Sequence, residues 1–225
     1  MTERRPKLIY FAERHPGFDS ESFTRRWRQH ARLGMSMARW VNIHRYVHCD
    51  PIDADLPASV TRRAADGVAL LWYRSQASRQ RHISDQEARA IMKGDEAETF
   101  ARPVADVSIM VDETVHRPAP VHAATLFLLY LRRPGITAAD FTRYRRTALP
   151  ARIARAFPAI GYTQNVPAEP RTTAGLAVDG IDEIAVSEPA RLDLEALGEV
   201  LASVDMADMS GLWARQMPLF QAGEE

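Results

Sequence analysis

The sequence predicts an α+β protein: two tandem ferredoxin-like βαββαβ units packed sheet to sheet as one barrel. Three observations predict it. The chain can be laid over itself at a constant offset. Both copies alternate strands and helices in the same order. Each sheet also carries a Val-, Ile-, Leu- and Met-rich face that cannot stay wet and is most simply covered by the other sheet.

The overlay is the strongest of these, since an internal repeat decides the fold before anything else does. Leu8-Ile9-Tyr10-Phe11-Ala12-Glu13-Arg14-His15-Pro16-Gly17-Phe18 lies over Leu126-Phe127-Leu128-Leu129-Tyr130-Leu131-Arg132-Arg133-Pro134-Gly135-Ile136. Phe23-Thr24-Arg25-Arg26 then lies over Phe141-Thr142-Arg143-Tyr144, still 118 residues apart. Later landmarks drift: Tyr46 pairs with Tyr162 at 116, and Asp66-Gly67-Val68 with Asp179-Gly180-Ile181 at 113. Short loop deletions account for the drift. The units are read as residues 1–115 and 124–225, joined by the proline-containing connector Val115–Ala123.

Within the first unit, strand one is Lys7–Glu13, closed by the turn pair Pro16-Gly17. A helix opens at Asp19 or Ser20, both good N-caps, and runs to about Arg39. Strand two is Val41–His48, followed by a loop over Pro51–Ala65. Strand three is Gly67–Tyr73, helix two Ala77–Met92, and strand four Val104–Val111. The second unit has strands near Thr125–Leu131, Ile160–Val166 and Ile181–Val186, with a weak one near Arg215–Phe220. Its first helix starts at Thr137, three residues before Asp140, an acidic variant of the capping box.

Composition narrows the function classes. The chain has 225 residues, 46% hydrophobic and 26% charged, an ordinary globular balance. Its 29 basic and 29 acidic residues cancel, so no global field draws in nucleic acid. No apolar run approaches the ~20 residues that span a bilayer. The first hydrophobic stretch, Leu8–Ala12, is too short for a signal-peptide core. A cytoplasmic location without membrane partners is expected. The single cysteine, Cys49, allows no internal disulfide and no cysteine-pair metal site, and reads as a structural thiol.

Candidate chemistry centres on His30. Phe23, Trp27, His30, Ala31 and Gly34 recur on one helical stripe, which turns His30 and Trp27 toward the sheet. An imidazole there suits proton transfer; the alternative is a buried histidine satisfied by a backbone carbonyl. Alternation along strand two puts Asn42, His44, Tyr46 and His48 on one face and Ile43, Arg45 and Val47 on the other. Lining a cavity, His44 and Tyr46 would assist at an oxyanion or phenol, with Asn42 binding substrate; otherwise the strand end is exposed and His48 solvated. Tyr10, Trp40, Trp72 and Tyr73 wall an aromatic-ligand cavity or simply pack the core. Asp106, between Val104 and Ser108 on strand four, is placed to orient a histidine, and Arg45 to clamp a carboxylate. His82, His116 and His122 are read as solvated.

No metal is expected. His44-x-x-x-His48 lies on a strand, so its ends stand about 13 Å apart and cannot close on one ion. No glycine-rich phosphate loop appears, which argues against nucleotide cofactors.

The run Lys7-Leu8-Ile9-Tyr10-Phe11, the turn Arg14-His15-Pro16-Gly17, Phe23, Trp27 and His30-Ala31 together resemble the EthD family, a branch of the dimeric α+β barrel superfamily. That family's opening is a strand, an Arg-x-Pro-Gly turn, and a helix carrying a Phe, Trp and His series; here the histidine falls three residues after Trp27. The second copy departs, with Arg145 where Trp27 stands and Ala148 where His30 stands. The resemblance implies a fused barrel more firmly than a reaction. Fungal relatives resemble cofactor-free decarboxylases or cyclisation helpers in aromatic polyketide pathways. Wider neighbours include lactone isomerases, quinone-forming monooxygenases and haem enzymes.

The resulting expectation is a cofactor-independent lyase, decarboxylase or isomerase acting on a small aromatic or polyketide-like compound. His30, His44 and Tyr46 would be catalytic, and Trp27, Tyr10, Asn42, Trp72 and Asp106 would bind substrate. The alternatives are a non-catalytic ligand-binding accessory protein and a haem-dependent or cofactor-free oxygenase. The fold also leaves room for a homodimer of fused barrels.

Overall fold

A computed structural model describes residues 5–168, 176–202 and 205–223. The first half runs β1 (Lys7–Ala12), α1 (Ser20–Ser36), β2 (Ile43–Pro51), β3 (Thr61–Arg62), β4 (Gly67–Tyr73), α2 (Gln76–Ser84), α3 (Gln86–Thr99) and β5 (Ser108–Arg117). The second runs β6 (Ala124–Arg132), α4 (Ala138–Ala156), β7 (Gly161–Pro167), β8 (Gly180–Val186), α5 (Leu194–Ala202) and β9 (Ala207–Gln221).

Eight strands close into an antiparallel barrel in the order β2-β4-β1-β5-β7-β8-β6-β9, with β9 pairing back onto β2. Closure leaves none of these eight strands with a bare edge. The short β3 adds to β9 in parallel. In the first half the spatial order is β2-β4-β1-β5, and in the second β7-β8-β6-β9. Counting strands within each half, and setting β3 aside, both orders read second, third, first, fourth.

Strand alternation divides the side chains between two environments. One set fills the barrel: Ile9, Phe11, Val47, Leu70, Phe127, Leu129, Ile181 and Leu212 form one cluster from both halves. The other set lies under the helices. In the first half, Tyr10, Tyr46, Ala69 and Leu71 pack against Phe23, Trp27 and Ala31 of α1. In the second, Leu126, Leu128, Tyr130 and Ile184 pack against Phe141, Leu149 and Ile153 of α4 and Leu197 and Leu201 of α5.

Both first helices start where capping chemistry places them. Asp19 accepts from Ser22 N at 2.7 Å, and Thr137 accepts from Asp140 N at 3.1 Å. Several boundaries differ from the sequence expectation, each for a local reason. The first helix stops at Ser36, and Ala38–Asn42 forms a 3-10 turn, so Asn42 precedes β2 instead of lying on its face. Asp85 interrupts the expected second helix and caps α3 through Ala88 N, which makes two helices. After Pro103 the chain takes a 3-10 turn over Val104–Asp106, so Asp106 is not on a strand and β5 starts at Ser108. That strand continues to Arg117, past the expected end of the first unit. The loop after β2 holds the two-residue β3. The weakest expected strand is the longest observed, 15 residues, because β9 serves β6 with its first part and β2 with its last.

A matched packing device recurs in both halves. A Cβ on Gly67 would stand 2.3 Å from the Trp27 ring, and a Cβ on Gly180 would meet the Arg145 guanidinium. Each glycine opens β4 or β8 and leaves room for the long side chain from the first helix of its own half.

Candidate active site

His30 lies on the buried face of α1, 5% exposed, with Phe23, Trp27, Ala31 and Gly34. Its Nδ1 is 2.6 Å from Asp95 Oδ2 on α3. Arg26, one turn earlier on α1, holds the other oxygen of Asp95 at 2.6 Å. A carboxylate accepts only, so Nδ1 carries the proton and Nε2 is left as the acceptor nitrogen. Nε2 has no hydrogen-bond partner among the described residues. Burial pushes the His30 pKa below its ordinary value; Asp95 opposes that shift and Arg26 adds to it. The imidazole is thus neutral at physiological pH, oriented, and able to accept a proton. Its ring meets Phe100 edge-on at 5.1 Å.

Beside it runs a second network. Trp27 Nε1 donates to Tyr10 Oη at 2.9 Å, Tyr10 Oη is 3.1 Å from Tyr46 Oη, and Tyr46 Oη is 2.6 Å from His48 Nε2. His48 Nδ1 faces a guanidinium nitrogen of Arg28, whose other arm grips Asp50 at 2.5 and 2.6 Å. Arginine only donates, so His48 Nδ1 accepts, its Nε2–H donates to Tyr46, and Tyr46 donates to Tyr10. Tyr10 receives two donors, and its own hydroxyl hydrogen is not committed to any of them. Burial raises the Tyr10 pKa to about 12, against the opposing bonds from Tyr46 and Trp27. Burial raises Tyr46 as well, and it lowers His48 far enough to keep that ring neutral.

The structure therefore gathers His30, Trp27, Tyr10 and Tyr46 under α1. His44 stands apart, at an open cleft with Arg5, Arg74 and Arg81, with Nε2 3.3 Å from Gln221 Nε2. A bulge between Ile43 and Arg45 breaks the alternation that would have aligned His44 with Tyr46. Asn42 fixes the turn instead, donating to Arg39 O and accepting from Arg81 Nε. Trp72 faces the barrel interior, across the sheet from Tyr10, and donates to Glu113 at 3.0 Å. The carboxylate that orients a histidine is Asp95, not Asp106. Asp95 was missed because it sits in a charged helical run where a salt-bridged surface is the default reading. His48 is fully buried and His82 is 8% exposed, so neither is solvated. Burial and Arg39 lower His82 to about 4, despite its bond to Arg39 O. His116 stacks on Tyr162 with ring centroids 5.1 Å apart. Among the described residues no three His, Cys, Asp or Glu side chains are grouped to hold a metal ion. No helix among them is long and apolar enough to cross a membrane.

A closed antiparallel barrel with helices outside and a buried polar cluster beneath α1 defines a protein of the dimeric α+β barrel type. The family model described as the EthD domain matches residues 15–103, within the first half of the chain. The chain is similar in fold to an anthrone oxidase-like protein, with a TM-score of 0.66 at 10% identity over 99% of this chain and 94% of that one. A monooxygenase-like protein of Fusobacterium nucleatum gives 0.59 at 8% identity over 100% and 98%. A mutant chlorite dismutase from Candidatus Nitrospira defluvii, in complex with cyanide, gives 0.53 at 11% identity over 97% and 92%. No curated protein matches the sequence.

Proposed function

We propose that the protein is a cofactor-independent enzyme, a lyase, decarboxylase or isomerase, that moves a proton on a small aromatic or polyketide-like molecule. The observation that carries this reading is the Asp95–His30 pair. A neutral imidazole fixed through Nδ1 and open at Nε2 is a general base of suitable basicity. Tyr10, receiving hydrogen bonds from Trp27 and Tyr46, has a hydroxyl hydrogen available to a developing oxyanion. Trp27, Phe23 and Phe100 pack against one another beside His30, so the base sits in an apolar, aromatic surrounding that suits a flat, apolar substrate.

We further propose that the two halves are diverged copies of one unit. Three features support this: the 118-residue overlay, the shared strand order, and the equivalence of Trp27 over Gly67 with Arg145 over Gly180. Ala148 in place of His30 then leaves one acid–base site, in the first half.

The test uses anthrone, an activated carbon acid, in D2O without oxygen. Wild-type protein should speed exchange of the methylene protons, and His30→Ala should abolish it while the fold persists. Equal exchange by His30→Ala overturns the assignment. Readmitting air examines a second reading, favoured by the anthrone oxidase-like fold neighbour. Oxygen uptake that follows exchange and needs His30 would make the same base the start of a cofactor-free oxygenation. Tight anthrone binding with neither exchange nor uptake would identify an accessory binder instead.

A further inference from the structure

The barrel interior holds a second polar site, on the opposite side of the sheet from His30. Lys7, at the start of β1, is completely buried, and its Nζ lies 2.5 Å from both Glu113 Oε1 and Glu183 Oε1. Trp72 donates to Glu113 Oε2, and Asn165 Nδ2 donates to Glu183 Oε1 at 2.8 Å. These residues come from β1, β4, β5, β7 and β8, so both halves build the site. Above them is a cavity of about 360 Å³ whose wall includes Arg45, Leu70, Trp72, Glu113, Glu183 and Pro218. Residues 118–122 of the connector complete its rim, where Val115 and Val121 are exposed.

The charges in the cavity are unevenly used. Lys7 is committed to two carboxylates. Arg45 stacks on Trp72, its Cζ 4.9 Å from the ring centroid, and makes no hydrogen bond or ion pair from its guanidinium among the described residues. A guanidinium has five donors in a planar fork that fits a carboxylate. Lys7 cancels one of the two glutamate charges and the Arg45 guanidinium the other, so the four groups together are neutral toward an incoming anion. Leu70 and Pro218 offer an apolar surface for the rest of the ligand. The volume is at the low end for ligand pockets, enough for one or two rings.

We propose that the barrel interior is a binding site for a small organic carboxylate, held by Arg45, and is separate from the His30 site. Nothing in this assignment depends on the acid–base reading, because the two sites occupy opposite faces of β1 and β4.

Calorimetric titration of the full chain with sodium benzoate tests it. Saturable one-to-one binding is expected, with neutral benzamide at least about tenfold weaker, since a charge-assisted bond is lost. Arg45→Gln should weaken benzoate by about tenfold or more. Val115→Trp, which narrows the mouth without touching the charges, should weaken benzoate and benzamide alike. His30→Ala should bind benzoate as wild type does. Absence of benzoate binding, equal affinity for benzamide, or full affinity in a folded Arg45→Gln would each overturn the proposal.

Discussion

The imidazole of His48 stacks on the indole of Trp27, ring centroids 3.7 Å apart and 16° from parallel. The stack clamps His48 between Arg28 and Tyr46, which fixes its tautomer and the direction of the hydrogen bonds toward Tyr10. At the corresponding place in the second half, Gln164 Nε2 donates to Tyr162 Oη at 2.8 Å. His48→Ala should cost about 2–4 kcal/mol, from a cavity and two broken hydrogen bonds. His48→Gln keeps a donor for Tyr46 and should recover at least about 1 kcal/mol of that. Urea unfolding of the three proteins decides it; equal losses for Ala and Gln would show that the donor is irrelevant.

Three buried histidines make the fold sensitive to mild acid. His30, His48 and His82 are all held below the ordinary histidine value, first by burial, and His82 lies at about 4. The unfolded chain therefore binds more protons than the native one between those values and about 6.5, so stability rises with pH across that window. The contribution is present above about pH 6.5 and is lost as pH falls below it. Each titrating histidine can add up to about 1.4 kcal/mol per pH unit. Urea midpoints should fall between pH 7 and pH 5.5, and the fall should be shallower in His48→Gln. A midpoint that does not move over that range would contradict the neutral assignments.

The barrel was legible because its determinants are local and repeated: the Pro-Gly turns, the capped first helices and the alternating strands. The stripe Phe23, Trp27, His30 and Ala31 was legible for the same reason, since helical spacing alone turns it inward. What the sequence hid depends on long-range partners. Asp95 lies 65 residues from His30, and Glu183 lies 176 residues from Lys7. Neither pairing leaves a periodic trace. The bulge at Ile43/Arg45 moved His44 away from Tyr46, and strand counting has no means of anticipating one inserted residue. Lys7 was hidden by its chemistry, because a lysine at a strand start normally snorkels to water.

On the proposed reading Asp95 positions His30, and its removal separates orientation from basicity. Asp95→Asn keeps the size but loses the charge that raises the His30 pKa. The acid limb of the pH–rate profile should move to lower pH, and kcat should fall by at least about tenfold while binding changes little. A merely structural role would lower the amount of folded protein and leave the limb where it is.

Lys7 holds two glutamates inside the barrel, and its burial would drive off its proton if Glu183 and Glu113 did not outweigh that effect and raise its pKa. Lys7→Met leaves two buried like charges and should cost about 3–5 kcal/mol near neutral pH. Burial would then lift Glu113, which Lys7 now holds down. The native variant would bind more protons than its unfolded chain above about pH 4.3, so its stability should fall as pH rises. Relative to wild type, the deficit should be smaller at pH 5 than at pH 8. Equal deficits at the two values would mean that the glutamates do not interact through Lys7.

In the second half, Arg145 pairs with Asp182, both 1% exposed, and Tyr130 and Tyr162 each donate to Asp182 at 3.0 Å. On the overlay these positions match Trp27 and Ala69, so an aromatic–alanine pair in one half stands where an ion pair stands in the other. Breaking a buried pair from one side leaves an uncompensated charge, so Arg145→Trp and Asp182→Ala should each cost about 3–5 kcal/mol. The double variant restores the first half's pairing above Gly180 and should cost at least about 2 kcal/mol less than the two single losses together. Unfolding free energies of the four proteins close the cycle. Additive losses would mean that the two positions do not form one exchangeable unit, and would remove the packing argument that the halves descend from a common copy.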